Sequence, residues 1–234
     1  MDQSAHGRGG TLRRTVLGTP AIVAICLGVW LIGHGAQAPT PPPQPSAAQA
    51  FPAYDSAGEP SAASPLAPAV PPLPPSAPTR VRIPSIKVDA PLTALSLDST
   101  GRLVPPPDNN QNLAGWYRDG TSPGATGTAV LAGHVDTEQG AAVFYNLGAL
   151  KKGQTVDVDR ADGVTAVFTI DAIEVYTAQQ FPSKKVYGPA TRPELRLITC
   201  GAGFDKARQE YLGNVVVYAH LTSSHGGVLS AGGR

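Results

Sequence analysis

The sequence has few cysteines and almost no net charge, and each shortage excludes a class of protein. Its 234 residues include two cysteines, Cys26 and Cys200. Cys26 lies in an apolar N-terminal run and Cys200 in the body of the chain, so we expect no disulfide between them. Lys and Arg number 18 against 17 Asp and Glu, which gives a net charge of +1. Because no basic excess is clustered in the chain, the composition argues against a nucleic-acid binder.

Charge is missing altogether from one N-terminal stretch, which predicts a membrane-spanning helix. No Asp, Glu, Lys or Arg occurs from Thr15 to Ile32. As a helix this stretch would rise roughly 27 Å, close to the hydrocarbon thickness of a bilayer. Arginines precede it, and the positive-inside rule therefore predicts a cytoplasmic N-terminus at residues 1–14 and a signal anchor at residues 15–37.

A cleaved signal peptide is the alternative interpretation of this stretch. The sequence Ala36-Gln37-Ala38 fits the small-x-small pattern of a cleavage site. Two features favour the uncleaved anchor: Pro39 would follow the cut, and the apolar run exceeds the usual signal core of about 7–15 residues. Either interpretation predicts that the rest of the chain lies outside the cytoplasm.

Residues 38–78 read as a disordered linker rich in Pro, Ala and Ser. The segment holds two charged residues, Asp55 and Glu59, and shows no apolar periodicity. Such a chain buries too little surface to offset its ordering entropy. Its prolines favour extended conformations, which suit a spacer between a membrane anchor and a folded domain. Disorder is also expected for the tail, residues 224–234.

Residues 79–223 read as a single β-rich domain. Alternating and apolar runs recur between turns of Gly, Pro and Asp, and they include "GTAVLAGHV", "QTVDVD", "ELRLITC" and "NVVVYAHL". This spacing predicts an all-β sandwich or closed barrel with short helices. The domain is long enough to bury one independent core.

Cys200 ends the strand-like stretch "ELRLITC" and is followed by Gly201 and Gly203. The two glycines are expected to permit a tight turn beside the thiol. Strand alternation puts Cys200 on the same face as Arg196 and Ile198, and not on the more apolar face. A lone cysteine is most often a small buried hydrophobe. A nucleophile is the competing hypothesis.

His134 occupies a matching position at the end of "TAVLAGH". It lies at the tip of a predicted strand and directly follows a glycine, as Cys200 directly precedes one. A single histidine on a strand usually has a structural role, but two such tips can meet at one mouth of a barrel. Asp136 lies two residues beyond His134 and either orients it or faces solvent.

The two motifs together resemble a known family. "LAGHVDT" followed by "LITCGAGFD" and "YLGNVVVYAHL" is similar to the sortases, cysteine transpeptidases of Gram-positive cell surfaces. The wider set "GWYRDG", "PGATGTAVLAGHVDT" and "AVFYNL" resembles the class F sortases of actinobacteria. The resemblance implies a closed eight-stranded β-barrel. It also implies a cell-membrane protein with a single span, its N-terminus inside and its catalytic domain outside.

The resemblance also implies a mechanism and partners. Cys200 is expected to attack the threonyl carbonyl of an LPXTG-like sorting signal, and His134 to protonate the departing amine. A thioacyl-enzyme then forms, and an amine from peptidoglycan or a pilin resolves it. An adjacent imidazolium favours the thiolate form of a thiol, which is the nucleophile. No cofactor is implied.

Members of this family carry a third catalytic residue, an arginine that binds the substrate and its developing oxyanion. In most of the family it starts the last strand, where this sequence has Asn214. Three residues are therefore open for the role: Arg208 in the preceding loop, Arg196 on the face of Cys200, and Asn214 itself. Arg208 is the prediction we retain.

Two other functions stay open. One is a non-catalytic β-barrel module that binds the cell wall, with an inert Cys200. The other is a cysteine hydrolase without transfer to an amine. Asp157, Asp159 and Asp171 do not follow the spacing of a calcium loop, so we predict no metal site.

Overall fold

Strands account for most of the folded chain in a computed structural model of the protein, which describes residues 40–52 and 70–226. The strands are β1 (Pro78–Ile83), β2 (Val88–Leu95), β3 (Ala114–Tyr117), β4 (Gly127–Gly133), β5 (Asp136–Thr137), β6 (Gly140–Ala141), β7 (Thr155–Arg160), β8 (Val164–Thr177), β9 (Pro193–Asp205) and β10 (Glu210–Gly226). A short helix, α1 (Ser183–Tyr187), lies between β8 and β9, and four 3-10 turns complete the described elements.

Eight of these strands close into a barrel in the order β1, β2, β3, β4, β9, β10, β8, β7, and β7 pairs back onto β1. Neighbours are antiparallel except for the parallel pairs β2–β3 and β4–β9. Strands β5 and β6 form a separate two-stranded hairpin. The closed eight-stranded barrel that the resemblance implied is therefore confirmed.

Strand alternation separates an inner core from a second apolar cluster on the outside of the barrel. On β9, Leu195 and Leu197 are fully buried among the residues of the inner core. Ile198 of the same strand instead joins the outer cluster, which also includes Val130, Val216, Tyr218 and Val186 of α1. The outer cluster lies between the barrel wall and the segment that connects β8 to β9, so that segment is fixed to the outside of the barrel.

The tight turn expected directly after Cys200 is absent, and this prediction was wrong. Strand β9 continues past Cys200 to Asp205, and the reversal is at residues 206–209. The register shifts in this stretch, where Ala202 and Gly203 have φ angles of 60° and 90°. The glycine-rich stretch therefore forms a β-bulge, because the partner strand β10 continues alongside it.

Two pieces of the predicted linker, residues 40–52 and 70–77, lie within the described part of the chain. The Phe51 amide donates to Oε1 of Glu174 at 3.1 Å, and Lys152 Nζ donates to the Ala50 carbonyl at 2.6 Å. Nη2 of the buried Arg160 donates to the Pro74 carbonyl at 2.6 Å. In these two pieces, backbone groups of the linker therefore form hydrogen bonds with charged side chains of the barrel.

The remaining linker residues, 53–69, and the predicted anchor, residues 15–37, lie outside the described residues, as does most of the tail. Within residues 40–52 and 70–226, no helix is long and apolar enough to cross a membrane. The fold above belongs to residues 42–234, one of the two units into which the chain divides.

The adjacent parallel strands β4 and β9 are joined at their ends by a side chain. Their register pairs Ala132 with Ile198. One residue further along, the buried Thr199 donates through Oγ1 to the Gly133 carbonyl at 2.8 Å. This bond holds the two strand ends together just before His134 and Cys200.

Replacing this threonine tests the contribution of the bond to stability. We expect Thr199→Val to lower the free energy of unfolding by about 1–2 kcal/mol, because it leaves a buried carbonyl unpaired at nearly constant volume. Urea denaturation measures the change. Thr79→Val is the matched control, since its hydroxyl also donates to a carbonyl, that of Asp159, but at an exposed position. Equal losses in the two variants would contradict the assignment.

Candidate active site

Cys200 lies on the outer face of β9, with its thiol exposed at the surface. Strand alternation puts it on the same side as Ile198 of the outer cluster, and opposite Leu197 and Thr199. The thiol is therefore not part of the inner core. Within the described residues it is the one free cysteine.

The register of β4 and β9 brings His134 to the same end of the barrel as Cys200. Ala132 pairs with Ile198, and His134 and Cys200 each lie two residues beyond that pair in the same direction. Adjacent strands lie about 4.8 Å apart. Strand alternation from Val130, extended to His134 just past the end of β4, puts the His134 side chain on the outer face. Cys200 has the same relation to Ile198 on β9, so both side chains face outward.

A backbone carbonyl fixes the orientation of the imidazole. Nε2 of His134 lies 2.7 Å from the carbonyl oxygen of Pro106, in the loop between β2 and β3. A carbonyl oxygen only accepts hydrogen bonds, so Nε2 must carry a hydrogen. Nδ1 is therefore the ring nitrogen that this hydrogen bond leaves available for proton exchange.

A carboxylate and a phenol complete this end of the barrel. The Tyr211 hydroxyl, at the start of β10, donates to Oδ2 of Asp136 on β5 at 2.5 Å. The Tyr211 ring packs against Phe204 across the hairpin, with ring centroids 5.0 Å apart. Burial raises the pKa of Tyr211, and the bond to Asp136 adds to the rise. Tyr211 is therefore the neutral donor and Asp136 the charged acceptor.

The surroundings of Cys200 disfavour its thiolate. Desolvation by the neighbouring protein raises the pKa of the Cys200 thiol, and the nearby carboxylate of Asp136 raises it further. An ordinary thiol is about 3% thiolate at pH 7, so the reactive fraction of Cys200 is smaller than that. Asp136 lies two residues beyond His134 and so acts on the sulfur from the same end of the barrel.

The three residues considered for the third catalytic role lie in different places. Asn214 of β10 is paired with Cys200, and its Nδ2 donates to the Thr199 carbonyl at 3.3 Å. The amide carries two N–H groups, of which this bond uses one. Asn214 is therefore the cross-strand neighbour of the thiol.

The register does not bring Arg208 to the thiol. It lies in the turn between β9 and β10, where its side chain is 72% exposed and lies 3.7 Å from Asp205 and 3.8 Å from Glu210. Asp205 is five residues beyond Cys200 on an extended strand, which corresponds to roughly 16 Å. This distance separates the Arg208 turn from the sulfur.

Arg196 shares the face of Cys200 but lies four residues away, roughly 13 Å along the strand. Its buried guanidinium lies over the Tyr218 ring at 4.6 Å, and Nη2 donates to Glu194 at 2.7 Å. Both partners hold it away from the thiol. We therefore assign Arg196 to the support of the outer face.

Two contacts of this site were not predicted from the sequence. The Pro106 carbonyl comes from the loop between β2 and β3 and belongs to no quoted motif. Tyr211 begins the quoted motif "YLGNVVVYAHL", but its hydroxyl was given no role. Asp136 was considered only as an orienting or solvent-facing residue, whereas its carboxylate accepts a hydrogen bond from Tyr211 and raises the pKa of Cys200. The spacing of "GHVD" was the signal that identified it.

Neither of the two best-defined cavities contains the thiol. One, of about 460 Å³, is lined by residues around Trp116 and Thr121, and the other, of about 360 Å³, by residues around Asn112 and Tyr145. Cys200 and His134 line neither of them. In the described part of the chain, no group of three or more His, Cys, Asp or Glu side chains could hold a metal ion.

Solved structures similar to this chain are sortases of two types. Sortase A from Listeria monocytogenes is 18% identical, with a TM-score of 0.48, 63% of this chain covered and 88% of that chain. Sortase C-1 from Actinomyces oris is 23% identical, with a TM-score of 0.48 and 62% and 73% covered. A lid mutant of sortase A from Corynebacterium diphtheriae is 21% identical, with a TM-score of 0.48 and 62% and 70% covered.

Among curated protein sequences, none matches this chain. The family model for the sortase domain matches residues 81–222, which is more than half of the sequence. That span includes the strands of the barrel from β1 to β10 together with the two predicted motifs. The chain therefore belongs to the sortase family of cysteine transpeptidases.

Proposed function

We propose that this protein is a membrane-anchored, extracytoplasmic sortase in which Cys200 is the nucleophile and His134 the acid–base residue. The observation that carries the proposal is the parallel register of β4 and β9, which aligns these two residues at one end of the barrel. The bond from Thr199 to Gly133 maintains that alignment. The substrates are proteins with an LPXTG-like sorting signal, and the motifs are most similar to class F.

In the first half-reaction, the Cys200 thiolate attacks the threonyl carbonyl carbon of the sorting signal. A C–S bond forms, and the carbonyl becomes an oxyanion. When this intermediate collapses, the C–N bond breaks and Nδ1 of the His134 imidazolium gives its proton to the departing amine. The bond from Nε2 to Pro106 keeps the ring oriented during this transfer. The products are a thioacyl-enzyme and a free amine on the released peptide.

The exposed side of α1 offers a surface on which the rest of the sorting signal can lie. Val130 and Ile198 of the outer cluster are themselves buried, as is Val186 of α1. Tyr187 of the same helix is 48% exposed. We infer that the apolar residues of the signal, before the threonine, pack beside α1 against Tyr187.

In the second half-reaction an amine from peptidoglycan or a pilin attacks the thioester. The anchor predicted at residues 15–37 and the spacer after it would hold the domain outside the membrane, near both substrates. Exchange of one amide for another requires no cofactor. A hydrolase without transfer, or a module that only binds the wall, would not use both the thiol and the amine.

Mass spectrometry of the full chain in detergent tests the nucleophile and the substrate class together. After incubation with a small library of sorting peptides, we expect a thioester adduct on the parent protein and none on Cys200→Ala. His134→Ala should form product about 10²- to 10⁴-fold more slowly, because the leaving amine lacks its proton donor. Peptide transfer that depends on added amine separates a transpeptidase from a hydrolase. A Cys200→Ala protein that still forms an adduct would contradict the proposal.

The third role is tested by two substitutions made side by side. The register favours Asn214, so we expect Asn214→Ala to lower kcat/KM by roughly 10²-fold through loss of an oxyanion donor. Arg208→Ala, which alters an exposed hairpin charge, should change it by less than about threefold. The reverse result would mean that the hairpin folds over the site in the substrate complex and that Arg208, as the family pattern predicts, holds the oxyanion.

The pH dependence of thiol labelling tests the electrostatics of the site. Desolvation and Asp136 raise the pKa of Cys200, so labelling by a soluble methanethiosulfonate should rise with pH through a midpoint above that of a free cysteine peptide. Asp136→Asn removes a negative charge and should move the midpoint down. Glu138→Gln, two residues away at an exposed position, should leave it unchanged. A midpoint below that of the free peptide would show that His134 outweighs both effects.

A further inference from the structure

The proposed first half-reaction leaves the position of Asp136 unexplained. Its carboxylate raises the pKa of the Cys200 thiol and so opposes formation of the attacking thiolate. Asp136 lies two residues beyond His134, whose strand end is aligned with Cys200, and Tyr211 holds its carboxylate there from a different strand. A negative charge that hinders the first chemical step calls for a benefit in another step.

The second half-reaction supplies such a benefit. Its acceptor is a primary amine, and α-amines and lysine side chains have pKa values of about 8 and 10.4. Near neutral pH the acceptor therefore arrives mostly as an ammonium ion. A carboxylate beside the thioester attracts this cation and raises its local concentration.

The unfavourable effect of Asp136 is suspended while Cys200 is acylated. The sulfur of the thioester is neutral and does not repel a carboxylate. The negative charge of Asp136 then acts on what approaches from solution, and the repulsion returns when the thiolate leaves. A single side chain thus slows thiolate formation and favours the amine that follows.

We propose that Asp136, oriented by Tyr211, is the binding site for the ammonium group of the acceptor. This inference rests on the proposed function, because it requires a thioacyl-enzyme at Cys200. Asp136 is partly exposed and so can be reached from solvent. Tyr211 binds one carboxylate oxygen, Oδ2, and Oδ1 is the oxygen to which the ammonium would donate.

The geometry fixes the carboxylate from two sides. Asp136 belongs to the β5–β6 hairpin, where it pairs with Ala141. Tyr211 belongs to the β9–β10 hairpin, where its ring packs against Phe204. The two hairpins thus meet through one hydrogen bond next to the thiol, and the ammonium site is built from both.

The acceptor ammonium gives up two protons along this route, one to solvent and one to His134. The bound ammonium first loses one proton to solvent and becomes a neutral amine. Its nitrogen attacks the thioester carbon, a C–N bond forms, and the C–S bond breaks. The second proton passes to Nδ1 of the neutral His134, and Cys200 leaves as a thiolate. The thiolate and the imidazolium are restored for the next turnover, and Asp136 keeps its charge throughout.

Two acceptors that differ in charge test the proposal on the full chain. Triglycine carries an ammonium group at neutral pH, whereas hydroxylamine is mostly uncharged. With a sorting peptide that acylates the parent protein, we expect Asp136→Asn to raise the KM for triglycine roughly threefold to fivefold. Transfer to hydroxylamine should stay within about twofold of the parent. The ratio of transfer to hydrolysis is the readout, since it does not depend on the rate of acylation.

Two further variants complete the test. Glu138→Gln removes an equal charge at an exposed position on the same hairpin and should leave both acceptors unaffected. Tyr211→Phe keeps the ring and removes the hydroxyl, so it should raise the KM for triglycine by less than Asp136→Asn does. An Asp136→Asn protein with an unchanged KM for triglycine, or with equal losses for both acceptors, would overturn the ammonium site. A parent protein that forms no thioester with any sorting peptide would overturn the proposed function instead.

Discussion

The parallel pairing of β4 and β9 is the constraint on which the rest of the site depends. The two strands are far apart in sequence, and their ends are adjacent only because they are neighbours in the closed barrel. The buried bond from Thr199 to the Gly133 carbonyl fixes the register at those ends. Since a strand that slips by one residue turns every side chain to the other face, this register decides whether Cys200 faces the outer surface or the core.

The electrostatics of the site favour a neutral thiol at rest. Desolvation and the carboxylate of Asp136 both raise the pKa of Cys200, and neither neighbouring strand, β4 or β10, carries an arginine. The thiolate, which is the reactive form of a cysteine, is thus disfavoured.

The linker and the outer cluster connect the site to the rest of the chain. The segment around Phe51 packs on the same outer face as Tyr218, with ring centroids 5.2 Å apart, and Lys185 of α1 lies 5.0 Å above the Phe51 ring. The described linker residues around Phe51 therefore pack on the same outer cluster as α1.

Much of the fold and part of the site could be predicted from the sequence. The alternating runs identified the strands, and the two motifs identified the family and its barrel, because local patterning and short motifs are properties of neighbouring residues. Cys200 and His134 were identified in the same way, as strand ends next to glycine. The turn expected at Gly201 and Gly203 was misplaced, since the decision between a turn and a β-bulge depends on whether a partner strand continues alongside.

The tertiary structure alone decided which residues meet at the thiol. The sequence retained Arg208 for the third role because it is near Cys200 along the chain, yet the β9–β10 hairpin extends the two residues away from each other. Asn214, Tyr211 and the Pro106 carbonyl approach the site through strand pairing and loop packing between distant segments. The sequence by itself determined the residue types and the barrel, and only the closed sheet determined their neighbours, because contacts across strands depend on register and not on separation along the chain.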